Sequence, residues 1–316
     1  MESVSYIRRK LFMDYILETK HLTKKYGSDY AVKDVNIHLA KGQIYGLVGR
    51  NGAGKTTLLR MISGLSKPTE GTFEVFGENG LNNPVTRVKI GCLIESPGIY
   101  SSLNARDNII LKCKALGIKE KSIADELLML VGLQNTGKKK TVEFSLGMKQ
   151  RLGIAMALIG NPEIIILDEP INGLDPQGII EVREIIQKLN KERNITFIIS
   201  SHILDELSKI ANKYGFIHNG ELLEEITTEE LEEKCTKRIE IHINDAEKAV
   251  SVLNNTGIND ISVIDDKHIS VMEKTDETPL ISKSLVMAGL DLYEMVIKNE
   301  SLEGYFINIT GGENDA

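Results

Sequence analysis

The sequence predicts an α/β protein: a parallel sheet covered on both faces, followed by a smaller α+β domain. Three observations predict it. The stretch Gly49-Arg50-Asn51-Gly52-Ala53-Gly54-Lys55-Thr56-Thr57 fits the phosphate-binding pattern G-x-x-x-x-G-K-[ST] at every fixed position. Apolar, β-branched runs alternate with helix-like stretches from there to His202, as in sheets whose strands are buried on both sides. After Thr227 the texture changes, and short segments follow in the order β-α-β-β-α-β.

The phosphate pattern sits in the setting it requires. Gln43 to Val48 reads as a strand, and Thr57 to Ile62 are good helix formers stopped by Gly64. Between them Gly49, Gly52 and Gly54 allow successive N–H groups to turn inward and cradle phosphate oxygens at a helix N-terminus. Lys55 is placed to reach the β and γ phosphates and Thr56 to ligate Mg²⁺. The chain is expected to bind a nucleoside triphosphate.

Composition narrows the class. At 316 residues the chain is long enough for two domains. A net charge of −7 opposes a general nucleic-acid binder. Cys92, Cys113 and Cys235 are widely spaced, without CxxC or His clustering, so neither a disulfide framework nor a zinc site is expected, and a reducing cytoplasm fits. The longest apolar runs, such as Ile164 to Leu167, are far too short to span a bilayer, and no signal-peptide core opens the sequence, so a membrane role would come through a partner. The expected organisation is an N-terminal extension over 1–15, a nucleotide-binding domain over 16–228 and an accessory domain over 229–316. In the extension, Arg8, Arg9 and Lys10 read either as a flexible start, with Met13 as the true first residue, or as a basic arm touching lipid.

In chain order, Ile16 to Lys24 and Val32 to Leu39 alternate as strands of a half-exposed sheet. Tyr26, between them, reads either as a turn residue or as an aromatic face for an adenine. A turn at Pro68 to Gly71, a strand through Phe76 and another over Lys89 to Ile94 lead to Glu95-Ser96-Pro97. Helices are expected over Asn104 to Leu116 and Ser122 to Val131, and a further one opens at Phe144-Ser145-Leu146-Gly147-Met148-Lys149-Gln150-Arg151. Glu163 to Leu167 is a buried strand ending in Asp168-Glu169-Pro170, Pro176 starts a helix to about Arg193, and Asn194 to Ile199 is a strand ending at Ser200-Ser201-His202. Gly49, Glu95, Asp168 and His202 would then share the carboxyl ends of the strands, where ligands bind. In isolation Asp168-Glu169-Pro170 is a capped strand end and His202 a surface histidine. Beyond Thr227, strands at Arg238 to Ile243, Ile258 to Ile264, His268 to Glu273 and Leu292 to Ile297, with helices at Ala246 to Leu253 and Pro279 to Met287, give a ferredoxin-like order before a last helix over Ser301 to Ile309.

These motifs, in this order and spacing, resemble the ATP-binding subunit of ABC transporters from about Glu18 to Thr228. Gly49 to Thr56 resembles Walker A, Ile164 to Asp168 Walker B, Glu169 the catalytic glutamate, Phe144 to Met148 the signature loop, Asn172 to Asp175 the D-loop and His202 the switch histidine. The resemblance implies a P-loop ABC ATPase fold, a parallel sheet core with an antiparallel β subdomain and a helical subdomain, using ATP and Mg²⁺. It implies catalysis by Lys55, Glu169 and His202. It implies nucleotide contacts from Tyr26, now as the adenine-stacking ring, from Gly49, Arg50, Asn51, Gly52, Ala53, Gly54, Lys55, Thr56 and Thr57, and from Glu95, Ser145, Gly147, Asp168 and Asp175. Metal contacts would come from Thr56, Asp168 and Glu95. Ser145 and Gly147 would face the nucleotide of an opposing subunit, so the cassette is expected to act as a homodimer or pseudo-dimer, bound to an integral-membrane permease at the inner face of the cell membrane.

Two departures from the family pattern stand out. The signature reads Phe-Ser-Leu-Gly-Met where the commonest form is Leu-Ser-Gly-Gly-Gln, and Glu95 stands where most relatives carry glutamine. Glu95-Ser96-Pro97, the signature segment and Ser301-Leu302-Glu303-Gly304-Tyr305-Phe306 look like the branch conferring bacitracin resistance and lantibiotic immunity. The expected function is therefore an ATPase powering export or clearance of an antimicrobial peptide. A soluble ABC-type ATPase acting on ribosomes or DNA is the competing reading, opposed by the single cassette and the lack of a coiled-coil insertion. The accessory domain is left as a ligand sensor, a dimer support or a packing element.

Overall fold

The computed structural model describes residues 15–80, 87–118, 122–234, 237–299 and 302–310. Met1, the Arg8-Arg9-Lys10 run, Met13, Cys235 and Ser301 lie outside these. The chain forms two compact units that divide after Thr228.

The first unit begins with an antiparallel sheet. Its strands are β1 (Tyr15–Tyr26), β2 (Asp29–Val35), β3 (His38–Ala40), β5 (Glu70–Val75) and β6 (Glu78–Asn79), ordered β2-β1-β5-β6 with β3 also on β1. The single strand expected over Val32 to Leu39 is broken in two. Asp34 takes φ 52, and the buried Thr19 hydroxyl on β1 serves both sides of the break, donating to Val35 O at 2.9 Å and accepting from Ile37 N at 2.7 Å. A side chain from another strand thus satisfies the backbone where ladder bonds stop.

The second sheet runs β11-β10-β4-β9-β8-β7, with β4 (Ile44–Val48), β7 (Ile90–Leu93), β8 (Ile164–Asp168), β9 (Thr196–Ser201), β10 (Lys213–His218) and β11 (Glu221–Thr227). All neighbours are parallel except β10 and β11. Strands β4, β8 and β9 are buried at every position, the signature of a sheet covered on both faces. Helix α1 (Lys55–Ile62) packs Leu58, Leu59, Met61 and Ile62 into the same core as Leu47, Ile164, Ile166 and Ile198. The antiparallel β11 departs from the all-parallel expectation. It closes on β10 through Asn219-Gly220, both with positive φ (48 and 81), the pair a two-residue hairpin favours.

Three helices, α2 (Ala105–Ala115), α3 (Ser122–Leu130) and α4 (Leu146–Ala157), lie between β7 and β8 in sequence. Asn104 caps α2 by accepting from Asp107 N at 2.8 Å. The long α5 (Pro176–Arg193) starts with Pro176 behind an Asp175 cap and ends at Asn194 in the left-handed region. A short α6 (Leu204–Leu207) follows β9. No helix among the described residues is long and apolar enough to cross a membrane.

The second unit opens with α7 (Thr228–Lys234), whose first residue closes the first unit. It holds a four-stranded antiparallel sheet, β13 (Ile261–Asp265), β14 (His268–Val271), β12 (Lys237–Ile243) and β15 (Leu292–Asn299), in that spatial order. With α8 (Ala246–Asn255) and α9 (Thr278–Met287) this is the ferredoxin-like arrangement. Its core is separate, built on Ile239, Ile241, Ile269, Val271, Leu253, Ile281 and Leu285. Strand β13 starts later than the Ile258 expected, because the Asn259 and Asp260 amides are both taken by the Glu273 carboxylate. Helix α10 (Leu302–Ile309) ends the described chain.

Candidate active site

The phosphate loop leaves β4 at Val48 and enters α1 at Gly54, which takes φ 102. No side chain is tolerated there: a Cβ on Gly54 would meet Ala31 O at 2.4 Å, and one on Gly49 would meet Ile217 O at 2.5 Å. The loop is held from behind by segments far away in sequence, with Gly220 N donating to Ala53 O at 3.0 Å and Lys33 N donating to Gly220 O at 2.8 Å.

Lys55 is buried, and its Nζ donates to Gly49 O at 2.6 Å and Arg50 O at 3.1 Å. The same ammonium stands 3.1 Å from Glu169 Oε1. That carboxylate oxygen is shielded from solvent and has no hydrogen-bond partner, so the contact with Lys55 is one of charge. Glu169 Oε2 lies 2.8 Å from His202 Nδ1. One carboxylate therefore joins Lys55, at the start of α1, to His202, just beyond β9.

Asp168, the last residue of β8, is buried and doubly held. Thr56 Oγ1 donates to its Oδ2 at 2.9 Å, and Ser200 Oγ donates to its Oδ1 at 2.6 Å. Ser200 Oγ also accepts from Glu169 N at 2.9 Å. Ser200 thus fixes both acids, and it belongs to the site although the sequence marks it only as a strand end. Its signal was register: β8 and β9 pair Asp168 with Ser200 directly.

The structure brings Gly49, Arg50, Lys55, Thr56, Asp168, Glu169 and His202 together. Asn51, Gly52, Ala53, Gly54 and Thr57 lie on the same loop and helix start, and the remaining candidates lie on other elements. Tyr26 ends β1, is 53% exposed, and has Lys24 Nζ 5.1 Å from its ring centre. Ser145 caps α4, accepting from Met148 N at 3.2 Å, with Leu146 half exposed beside it. A Cβ on Gly147 would stand 3.8 Å from Gly178 Cα, so the starts of α4 and α5 lie side by side, and Asp175 caps α5 through Gly178 N at 3.1 Å. Glu95 follows β7 in the left-handed region, with φ 64. Its carboxylate is held by Arg60 Nη2 at 2.5 Å, a cation in place of the Thr56–Asp168 pair expected for a metal contact.

These groups fit a nucleotide. Held among the described residues by its own loop's carbonyls and a carboxylate, the buried ammonium is available to phosphate, and the loop enters a helix N-terminus through Gly52 and Gly54, both at positive φ. The Thr56 hydroxyl and Asp168 carboxylate are hard oxygen donors of the kind Mg²⁺ takes alongside substrate phosphates. Among the described residues no three carboxylate, imidazole or thiol groups form a cation cage of their own.

A phosphate loop at the end of a buried parallel strand, facing an Asp-Glu pair on the next strand but one and a histidine on the strand between them, defines a P-loop ATPase. Residues 32–172 match the ABC transporter family model. The chain is 46% identical to the bacitracin transport ATP-binding protein BcrA of Bacillus licheniformis over 95% of this chain and 99% of that one. It is 44% identical to the lantibiotic transport ATP-binding protein SrtF of Streptococcus pyogenes, over 66% of this chain and 89% of that one. A dimeric ATP-binding cassette in a post-hydrolysis state bound to ADP and Pi superposes with a TM-score of 0.60 at 26% identity, covering 67% of this chain and 98% of that one. The chain belongs to the ABC transporter family as an ATP-binding subunit, and it is a nucleotide-binding ATPase.

Proposed function

We propose that this subunit powers a separately encoded membrane permease that exports, or clears from the membrane, an antimicrobial peptide of the bacitracin or lantibiotic kind. The observation carrying this reading is the similarity to a bacitracin transport ATP-binding protein over 95% of the chain, which includes the second unit. The subunit would sit at the cytoplasmic face of the membrane through that permease, and two cassettes would close around two ATP molecules.

Within each site, Lys55 turns from its own loop carbonyls to the β and γ phosphates. Thr56 and Asp168 would hold Mg²⁺, which when bound would neutralise phosphate charge. Released from Lys55, Glu169 accepts a proton from the attacking water, while His202 bonds the γ-phosphate and keeps Glu169 oriented through Nδ1. Tyr26 stacks on the adenine. Ser145 and the Gly147 amide, at the start of α4, face the nucleotide held by the opposing subunit, with Asp175 beside them. Hydrolysis is positioning and electrostatics, so it follows closure of the two subunits around two ATP molecules.

Glu95 serves the metal or the permease interface, and the second unit is an accessory domain that gives no residue to hydrolysis. The test is peptide resistance in cells carrying the cognate permease with wild-type or Glu169→Gln subunit at equal expression. Resistance lost with Glu169→Gln supports the reading. Full resistance with an inactive ATPase would overturn it.

A further inference from the structure

We propose that Arg60 is a positioning residue that competes with the metal site for the Glu95 carboxylate, an inference resting on the reading of Glu95 as a metal-facing group. Thr56 and Arg60 are four residues apart on α1, so they project from one face, a turn from each other. Thr56 bonds Asp168 at the end of β8, and Arg60 bonds Glu95 just beyond β7, the neighbouring strand. One helix face thus carries two contacts side by side: the metal-type oxygens, and a cation that takes the acid expected to join them.

The backbone agrees with a held conformation. Glu95 has φ 64, an uncommon angle for a residue with a side chain, found where the surroundings dictate it. Its carboxylate is 58% exposed and Arg60 40% exposed, so the pair is open to exchange with solvent and with other cations. A carboxylate bound to guanidinium is already charge-compensated. To ligate a divalent cation near Thr56 it must leave Arg60, and Arg60 then sets how much of the Glu95 population is free. Glutamine at this position would have no such partner of opposite charge, so the arginine contact gains its meaning from the carboxylate.

The experiment measures Mn²⁺ binding by electron paramagnetic resonance on the full chain with a non-hydrolysable ATP analogue, comparing wild type, Arg60→Gln, Arg60→Lys, Glu95→Gln and the Arg60→Gln/Glu95→Gln double variant. Arg60→Gln should tighten Mn²⁺ binding roughly two- to fivefold, the range that releasing one exposed ion pair supports. Arg60→Lys should stay near wild type, and in the Glu95→Gln background Arg60→Gln should change nothing. Unchanged or weaker Mn²⁺ binding in Arg60→Gln overturns the competition, as does the same tightening in both backgrounds. If Glu95→Gln weakens Mn²⁺ binding while Arg60→Gln has no effect, only the role of Arg60 falls. If neither change moves Mn²⁺ binding, the metal-facing reading of Glu95 falls with it.

Discussion

Ser200→Ala is the sharpest perturbation of the site, because one buried hydroxyl holds both acids. Removing it deletes a 2.6 Å bond to a carboxylate that is 4% exposed. Hydrogen bonds to charged groups contribute roughly 1.5–3 kcal/mol. The Glu169 amide loses one acceptor but keeps Ser200 O at 3.2 Å, so no backbone donor is orphaned. The net cost is therefore about 2 kcal/mol, which lowers the Tm of a unit this size by roughly 4–8 °C. Because Asp168 then keeps only Thr56, the Mg²⁺ needed for half-maximal ATPase should rise on the order of tenfold, about 1.4 kcal/mol. The control is Ser201→Ala: Ser201 is equally buried, but among the described residues its hydroxyl bonds only Ile203 N and O. It should lower Tm without moving the Mg²⁺ requirement. Thermal melts and Mg²⁺ titrations of ATPase on both variants are the assay. Equal Mg²⁺ requirements for Ser200→Ala and wild type would refute the assignment of Ser200 to the acids.

Other changes separate the remaining roles. Glu169→Gln should stop turnover and trap an ATP-bound dimer visible by size-exclusion chromatography at millimolar ATP, whereas Lys55→Ala should lose both binding and dimer; a monomeric Glu169→Gln protein would count against the two-site closure. Truncation after Thr228 should leave ATP binding and hydrolysis in place, since every phosphate-contacting group precedes it, and a soluble truncated protein that binds ATP without hydrolysing it would show that the second unit contributes to the chemistry. Glu95→Gln should keep ATP affinity, alter ATPase of the isolated subunit by less than about tenfold, and weaken peptide resistance with the cognate permease; unchanged resistance at equal expression would remove the coupling role.

Much of this was legible in the sequence wherever one strong local signal decides the outcome. The phosphate loop, the Pro176 start of α5 and the alternating apolar residues of β12 and β14 are of that kind. The β2–β3 break was not, because the residue that satisfies it, Thr19, is remote in sequence and looks like any strand threonine. Between His202 and Thr227 no element is expected, whereas β10 and β11 form there, on Tyr214 to Ile217 followed by the hairpin signal Asn219-Gly220. Ser200 needed strand register, and the Arg60–Glu95 pair needed the juxtaposition of α1 with the end of β7; neither follows from periodicity.

That hairpin is the last stretch of chain to be made among those that surround the phosphate loop. Strand β4 has β9 and β10 as its two neighbours, and the Ala53 carbonyl is tied by the Gly220 amide. Nothing in the first fifth of the chain can complete this environment, and contacts of such sequence separation form late. At ribosomal elongation rates of about 5–20 residues per second, the nascent phosphate loop waits roughly 8–34 s for its flanking strands. Until β9 emerges its apolar strand is without a sheet neighbour, and the backing of the loop is complete only once Gly220 has followed.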